Sequence, residues 1–250
     1  MELWQLALLA VAGFAAGWIN VLAGGGSLFT VPILVFLGLP GPVANGTNRI
    51  AIIAQNIASV SAFFRKGYSD FRLSATLAAA ASIGAFFGAE VGVKLDGVWF
   101  NRILALVMVA VIAIMAVGED KKAPPPDGKS PAKNLLLGHA LMVGAGFWGG
   151  FIQIGVGFLI MPILYRVMGL DLVRVNMHKV FIALVFSLVA LAVFASKVGV
   201  AWEAGLALAA GNALGGWMGA HATVAKGARL VKVAVFVAAG AMAVKLLFFS

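Results

Sequence analysis

Cysteine is absent from the 250 residues, which excludes disulfides and thiolate metal sites. Charge is scarce. Only 11% of the residues are Asp, Glu, Lys or Arg, 62% are hydrophobic, and the mean hydropathy is +1.05. A soluble domain carries about 25% charged and about 45–50% apolar residues, so a water-facing surface cannot be built from this chain. No GxxxxGK[ST] phosphate loop occurs, and ATP-driven pumping by this chain has no support. No set of Asp, Glu and His lies together inside the apolar stretches, and no selectivity-filter-like repeat is found. A metal-centred membrane enzyme is therefore not expected, nor is any catalytic residue, metal or cofactor. The opening MELWQLALLAVAGFAAGWIN lacks the basic region that precedes a cleaved signal and reads as a first, retained helix.

What the chain does have is long apolar runs. Ile50–Phe64, Leu73–Val93, Ile103–Val117, Val180–Ala195 and Val231–Phe249 approach the roughly 20 residues needed to cross a bilayer core. The fold class they predict is all-α, a polytopic bundle of about 8–10 helical segments. The net charge of +9 does not point to nucleic acid, because the basic residues lie at helix ends rather than along one stripe. That placement is how membrane proteins signal orientation.

One hydrophilic segment, Glu119–Asn134, with a run of prolines from Pro124 to Pro126, divides the chain into residues 1–118 and 135–250. The halves resemble each other. At one constant offset Trp18 falls on Trp148, Gly25 on Gly155, Pro32 on Pro162, Arg49 on Lys179 and Arg102 on Lys232. One residue further, Gly84, Gly88 and Ala89 fall on Gly215, Gly219 and Ala220. The first half is expected to form helices over Leu3–Leu22, Ser27–Leu37, Pro42–Phe64, Arg72–Lys94 and Val98–Gly118. The second is expected to repeat them over Leu135–Gln153, Phe158–Met168, Leu172–Lys197, Ala201–Lys226 and Arg229–Phe248. The second piece of each half is about 11 residues, roughly 16 Å as helix, too short to span alone.

Charge suggests how the halves are oriented. With a cytoplasmic linker and an odd number of crossings per half, inner loops carry Arg65, Lys66, Arg72, Lys121, Lys122, Lys129, Lys133, Arg166, Arg174, Lys226, Arg229 and Lys232. The outer side keeps only Lys94, Arg102, Lys197 and Lys245. This bias matches the positive-inside rule and predicts two inverted repeats.

Inverted-repeat transporters bind substrate at mid-membrane, where broken helices of both halves meet. The matching Gly-rich interruptions are Gly24, Gly25, Gly26 and Ser27, and Ile154 to Gly157 with Gly155 and Gly157. Glycine permits an opened backbone and close approach to a ligand, and a resuming helix offers N–H groups to an anion. Close helix packing explains the same glycines without a ligand, and is the better account of Gly84, Gly88, Gly92, Gly211, Gly215 and Gly219. A second cluster, Thr47, Asn48 and Arg49, has its counterpart in Asn176, His178 and Lys179. Ionisable residues inside a span mark sites or pathways by default; end-of-helix snorkelling is the alternative for Arg49 and Lys179. Asn20 and Gln153 border the breaks, whereas Gln55, Asn56 and Asn212 are explained equally well by bonds to neighbouring helices. Glu90, His139 and His221 are candidate proton carriers, and interfacial placement is the alternative that accounts for them better.

The stretch GWINVLAGGGSLFTVPILVFLGLPGPVANGTNRIAI, and its second copy GFWGGFIQIGVGFLIMPILYRVMGLD, resemble the signature of the sulfite exporter TauE/SafE family of permeases. The resemblance covers nearly the whole chain through Gly24, Gly25, Gly26, Pro32, Thr47, Asn48, Gly155, Gly157, Pro162 and Lys179. It departs in the second copy, where GVG replaces a run of glycines and Asn176-Met177-His178 replaces the small/Thr segment. The resemblance implies a secondary transporter, by direction an exporter, of small sulfur-containing anions such as sulfite, sulfoacetate or organosulfonates in the bacterial inner membrane. A channel-like facilitator for small inorganic or carboxylate anions is the alternative. The expected partners are a small anionic substrate and the lipid bilayer, with no nucleic acid; a proton or other coupling ion and a homodimer are compatible with the sequence.

Overall fold

The computed structural model describes residues 1–95, 97–106 and 131–226. The expected helix Arg229–Phe248, most of the linker and the second part of the expected helix Val98–Gly118 lie outside those residues. Among the described residues every regular element is helical: α1 (Leu3–Ala23), α2 (Ser27–Phe36), α3 (Gly41–Arg65), α4 (Phe71–Gly92), α5 (97–106), α6 (Leu135–Phe151), α7 (Val156–Pro162), α8 (Leu172–Lys197) and α9 (Trp202–Lys226).

Local chemistry sets the boundaries. Helix α3 starts after Pro40, with Pro42 in its first turn, where a missing N–H costs nothing. The side chain of Asp70 caps α4 by accepting from Leu73 N at 3.2 Å. Asp171 caps α8 by accepting from Val173 N and Arg174 N, both at 3.0 Å. Such caps stabilise a helix by about 0.5–2 kcal/mol each. Pro162 closes α7, and the chain continues through a π-helical turn, Ile163–Val167, a local irregularity of the kind proline induces.

The repeats exchange partners. Helix α1 packs along α9, and its counterpart α6 packs along α4. Small residues let these pairs approach backbone to backbone. A Cβ added at Gly215 would fall 2.0 Å from Phe14 O, and one at Gly84 would fall 1.9 Å from Val143 O. The same seams give direction. Gly211 meets Ala10 while Gly219 meets Trp18, and Gly146 meets Ala81 while Gly150 meets Ala85, so both pairs run parallel. Between α3 and α8 the order reverses: Gly46 meets Phe194, whereas Phe63 clusters with Met177 and Val180. Helices α3 and α8, which correspond in the two halves, therefore run in opposite directions.

Among the described residues, three helices are long and apolar enough to cross a membrane by length and composition, Leu3–Leu22, Phe71–Gly92 and Leu172–Lys197. Large apolar side chains such as Val11, Ile83, Phe87, Leu136, Leu206 and Leu214 are exposed on the outside of the bundle, as suits a surface solvated by lipid tails. The interior holds polar groups instead, among them Asn45, Asn48, Arg49, Gln55, Asn56, Gln153, His178 and Lys179. That inversion of the water-soluble pattern directs attention to the centre.

Candidate functional site

Two helix interruptions meet at the centre. Helix α1 ends at Ala23, and Gly24 takes the left-handed conformation (φ +80°) while its N–H bonds Asn20 O at 2.8 Å. This glycine C-cap turns the chain into α2. In the second half α6 ends at Phe151, and Gln153 (φ +62°) and Gly155 (φ +72°) turn the chain into α7. The expected interruption at Gly155–Gly157 is thus displaced: Val156 and Gly157 are already helical, and the break spans Ile152–Gly155. Side-chain bonds hold it there. Gln153 Oε1 accepts from Arg49 Nη1 at 2.7 Å, Gln153 Nε2 donates to Ser187 Oγ at 3.2 Å, and Trp148 Nε1 donates to Ile154 O at 2.9 Å. Gly157 is small for a different reason. A Cβ on it would lie 2.3 Å from Gly24 Cα, and one on Gly24 would lie 2.5 Å from Gly157 Cα. The two interruptions touch through bare backbone.

The carbonyls freed at each break are taken up by a cation from the other half. Arg49, on α3, donates to Gly149 O at 3.0 Å and to Gly150 O at 2.5 Å, the end of α6. Lys179, on α8, donates from Nζ to Asn20 O at 3.2 Å and Val21 O at 2.7 Å, the end of α1. Both are buried, Arg49 wholly and Lys179 to within 4%. Snorkelling to the interface does not describe either residue. The carbonyl end of a helix is a partial negative pole of about half a charge, so each cation is partly, not fully, neutralised. Neither makes an ion pair with a carboxylate among the described residues.

Beside the contact of the breaks is a small cavity of about 20 Å³, room for about one water molecule. Of the residues singled out from sequence, Asn20, Gly24, Ser27, Gln153, Gly157 and Lys179 line it; Gly25, Gly26, Thr47, Asn48, Arg49, Gly155, Asn176 and His178 do not. Several of the latter support the lining from behind. Asn48 accepts from Thr30 Oγ1 at 2.6 Å and donates to Ser27 Oγ at 3.3 Å. Asn20 accepts from Gly26 N at 3.2 Å, which occupies an N–H at the start of α2, and donates to Gln55 Oε1 at 2.9 Å. Thr47 accepts from Ala201 N at 2.9 Å, next to the start of α9. His178 bonds Ser74 away from the cavity, at 2.8 Å.

The cavity adds Gln55 and Asn56, which sequence reasoning left as ordinary interhelical polar groups. Gln55 Nε2 donates to Asn56 Oδ1 at 3.2 Å, leaving Asn56 Nδ2 buried without a partner. Ile52, Gln55 and Asn56 share one face of α3 by the i, i+3, i+4 rule and all line the cavity. Their spacing shows a shared face, but not that the face meets a cavity. Lys179 and Asn56 both line the cavity, and among the described residues no carboxylate does; Lys179 Nζ also lies 3.9 Å from Met161 Sδ.

An all-helical apolar bundle with two helices broken side by side around a polar, cation-bearing centre has the construction of a membrane transporter. The family model for the sulfite exporter TauE/SafE matches residues 9–246, and the chain belongs to that family of membrane transporters. Among its relatives, "Probable membrane transporter protein ORF9" of Sinorhizobium sp is 26% identical over 97% of this chain and 92% of its own length. A "Probable membrane transporter protein" of Haemophilus influenzae is 26% identical over 97% and 94%, and "Probable membrane transporter protein YfcA" of Escherichia coli K12 is 25% identical over 97% and 90%. No solved structure matches the fold significantly.

Proposed function

We propose that the chain is a multi-pass secondary transporter of the bacterial inner membrane that exports small sulfur-containing oxyanions, sulfite, sulfoacetate and other organosulfonates. The carrying observation is the pair of buried cations with helix ends, not acids, as partners. Two unit charges set against two poles of about −0.5 each leave a residual of roughly +1 at the centre of the bundle. Burying uncompensated charge costs several kcal/mol, and an anion arriving in the cavity supplies the missing compensation. Lys179 Nζ and Asn56 Nδ2 are the donors that meet it, with Ser27 and Gln153 completing the lining.

The opposed direction of α3 and α8 supports an inverted repeat, in which rocking one half against the other exchanges the side from which the cavity opens. Each cation reaches across to the other half's broken helix, so the lining is assembled from both. The lining supports an anionic substrate, since hydrogen-bond donors and one cation suit an ionised oxyanion; the choice of sulfur oxyanions rests on the family.

Reconstituted into proteoliposomes, the protein is expected to take up labelled sulfoacetate saturably and to be accelerated by unlabelled sulfoacetate on the opposite side. Sulfite competes and neutral amides do not. Uptake no faster than through empty liposomes removes the substrate assignment; flux without such trans-acceleration replaces the carrier by a channel.

A further inference from the structure

A second polar cluster lies outside the central cavity. His178 is wholly buried; its Nδ1 bonds Ser74 Oγ at 2.8 Å, and its Nε2 has no partner. Ser74 lines a separate small crevice, of about 10 Å³, together with Tyr68, Asp70, Phe63, Met177 and Phe181. Its rim is polar: Arg174 Nη2 stands 3.9 Å from Asp70 Oδ2, and Asp70 is partly exposed. The crevice thus leads from a charged rim to a hydroxyl that already bonds a buried imidazole.

The repeats are unequal at this point. The counterpart of His178 is Asn48, which cannot titrate and is held between Thr30 and Ser27. The counterpart of Ser74 is Gly205, packed on Ile50. The other histidines, His139 and His221, each bond a carbonyl of their own helix, Leu135 O and Trp217 O.

We propose that Ser74 and His178 form a proton-binding relay that couples proton occupancy to the neighbouring anion cavity. A proton from water in the crevice binds Ser74 Oγ as the serine proton passes to Nδ1, which leaves the serine neutral and the ring cationic. The proton is later lost back through Ser74, which returns the ring to neutrality in its starting tautomer. The charged and titratable groups around the ring are Asp70 at the start of α4, Asp171 and Arg174 on the first turn of α8, and Tyr68 in the turn before α4. Helix α3 contributes only the apolar Val60, Phe63 and Phe64 to the crevice. Lys179 follows His178 directly in the chain and lines the cavity. The ring faces away from the cavity, so a cationic ring adds positive charge across the width of α8 from the anion's own cation. Acting through the low dielectric between them, that charge tightens anion binding as pH falls. Because Asn48 and Gly205 cannot do the same, the coupling belongs to one half and opens to one face of the bundle.

The anion arm of the test rests on the transport reading above; the proton arm does not. The chain has three histidines, so ¹⁵N-imidazole spectra of the detergent-purified protein, between about pH 5 and pH 9, resolve them, and His178→Asn assigns the relay signal. That signal is expected to titrate, and to exchange with water more slowly in Ser74→Ala. In proteoliposomes, sulfoacetate, whose charge is constant over that range, is expected to bind several-fold more tightly at the acidic end. An imposed proton gradient changes its flux in the wild type, and the ratio of flux with and without the gradient falls to one in His178→Asn. A ring that never titrates, or a His178→Asn protein that keeps the wild-type ratio, overturns the relay. Absence of any sulfoacetate flux fails the substrate assignment instead and leaves the ring titration to decide the relay alone.

Discussion

Lys179→Met is expected to lower anion flux by roughly two to three orders of magnitude while the protein still folds. The cation lines the cavity, and a unit charge about 4 Å from an anion contributes about 4 kcal/mol at an effective dielectric constant near 20. Stability responds to opposing terms. The change leaves Val21 O without its bond from Nζ, at about 1–3 kcal/mol if it stays dry, while Asn20 O keeps the Gly24 N–H. It also removes an unpaired buried cation, whose desolvation costs several kcal/mol. The net change in stability is therefore small beside the loss of flux. Arg49→Met should do the reverse. Its guanidinium is outside the cavity and bonds Gly149 O, Gly150 O and Gln153 Oε1, so its removal unlatches the end of α6 and weakens the fold. Size-exclusion profiles and thermal unfolding in detergent, measured beside proteoliposome flux, separate the two outcomes. Equal flux losses from the two variants at equal stability would show that the cations share one role.

Gly24→Ala is expected to be the most disruptive single-methyl change at the centre, costing on the order of 2–5 kcal/mol. Part is backbone strain, since a left-handed φ costs an L side chain about 1–2 kcal/mol. The rest is overpacking, about 1–3 kcal/mol, because the new Cβ would fall 2.5 Å from Gly157 Cα. Two further variants divide the sum. Gly67 shares the conformation (φ +81°) but has nothing within 4 Å, so Gly67→Ala reports strain alone. Gly157 is helical and its Cβ would meet Gly24 Cα at 2.3 Å, so Gly157→Ala reports the collision, offset by the roughly 1 kcal/mol that alanine gains over glycine in a helix. Thermal unfolding followed by tryptophan fluorescence measures all three. A Gly24→Ala protein no less stable than Gly67→Ala would mean that the two breaks do not touch.

The helix boundaries were legible because local chemistry writes them: Pro40, Asp70, Gly155 and Asp171 each stand within a residue or two of an end. Corresponding glycines, prolines and basic residues exposed the duplication in the same way. What the sequence hid was set by tertiary packing. Gln153, not a glycine, opens the second break, because Arg49 and Ser187 hold its side chain. Arg49 and Lys179 look equivalent along the chain, yet only Lys179 reaches the cavity. Asn56 could not be distinguished from any other interhelical amide until Gln55 was seen to occupy its oxygen and leave its nitrogen unpaired. The families of glycines on α4 and α9 were readable as packing seams, because spacing by four places them on one helix face.

On the proposed function, the meeting of the two broken helices forms one oxyanion site on Lys179 and Asn56. Selenite is a heavier analogue of sulfite, and its selenium scatters anomalously. Crystals grown with selenite are predicted to show an anomalous peak within hydrogen-bonding reach, roughly 4 Å from selenium to the donor nitrogens, of both Lys179 Nζ and Asn56 Nδ2. A peak elsewhere in the bundle, with this cavity left empty, would contradict it.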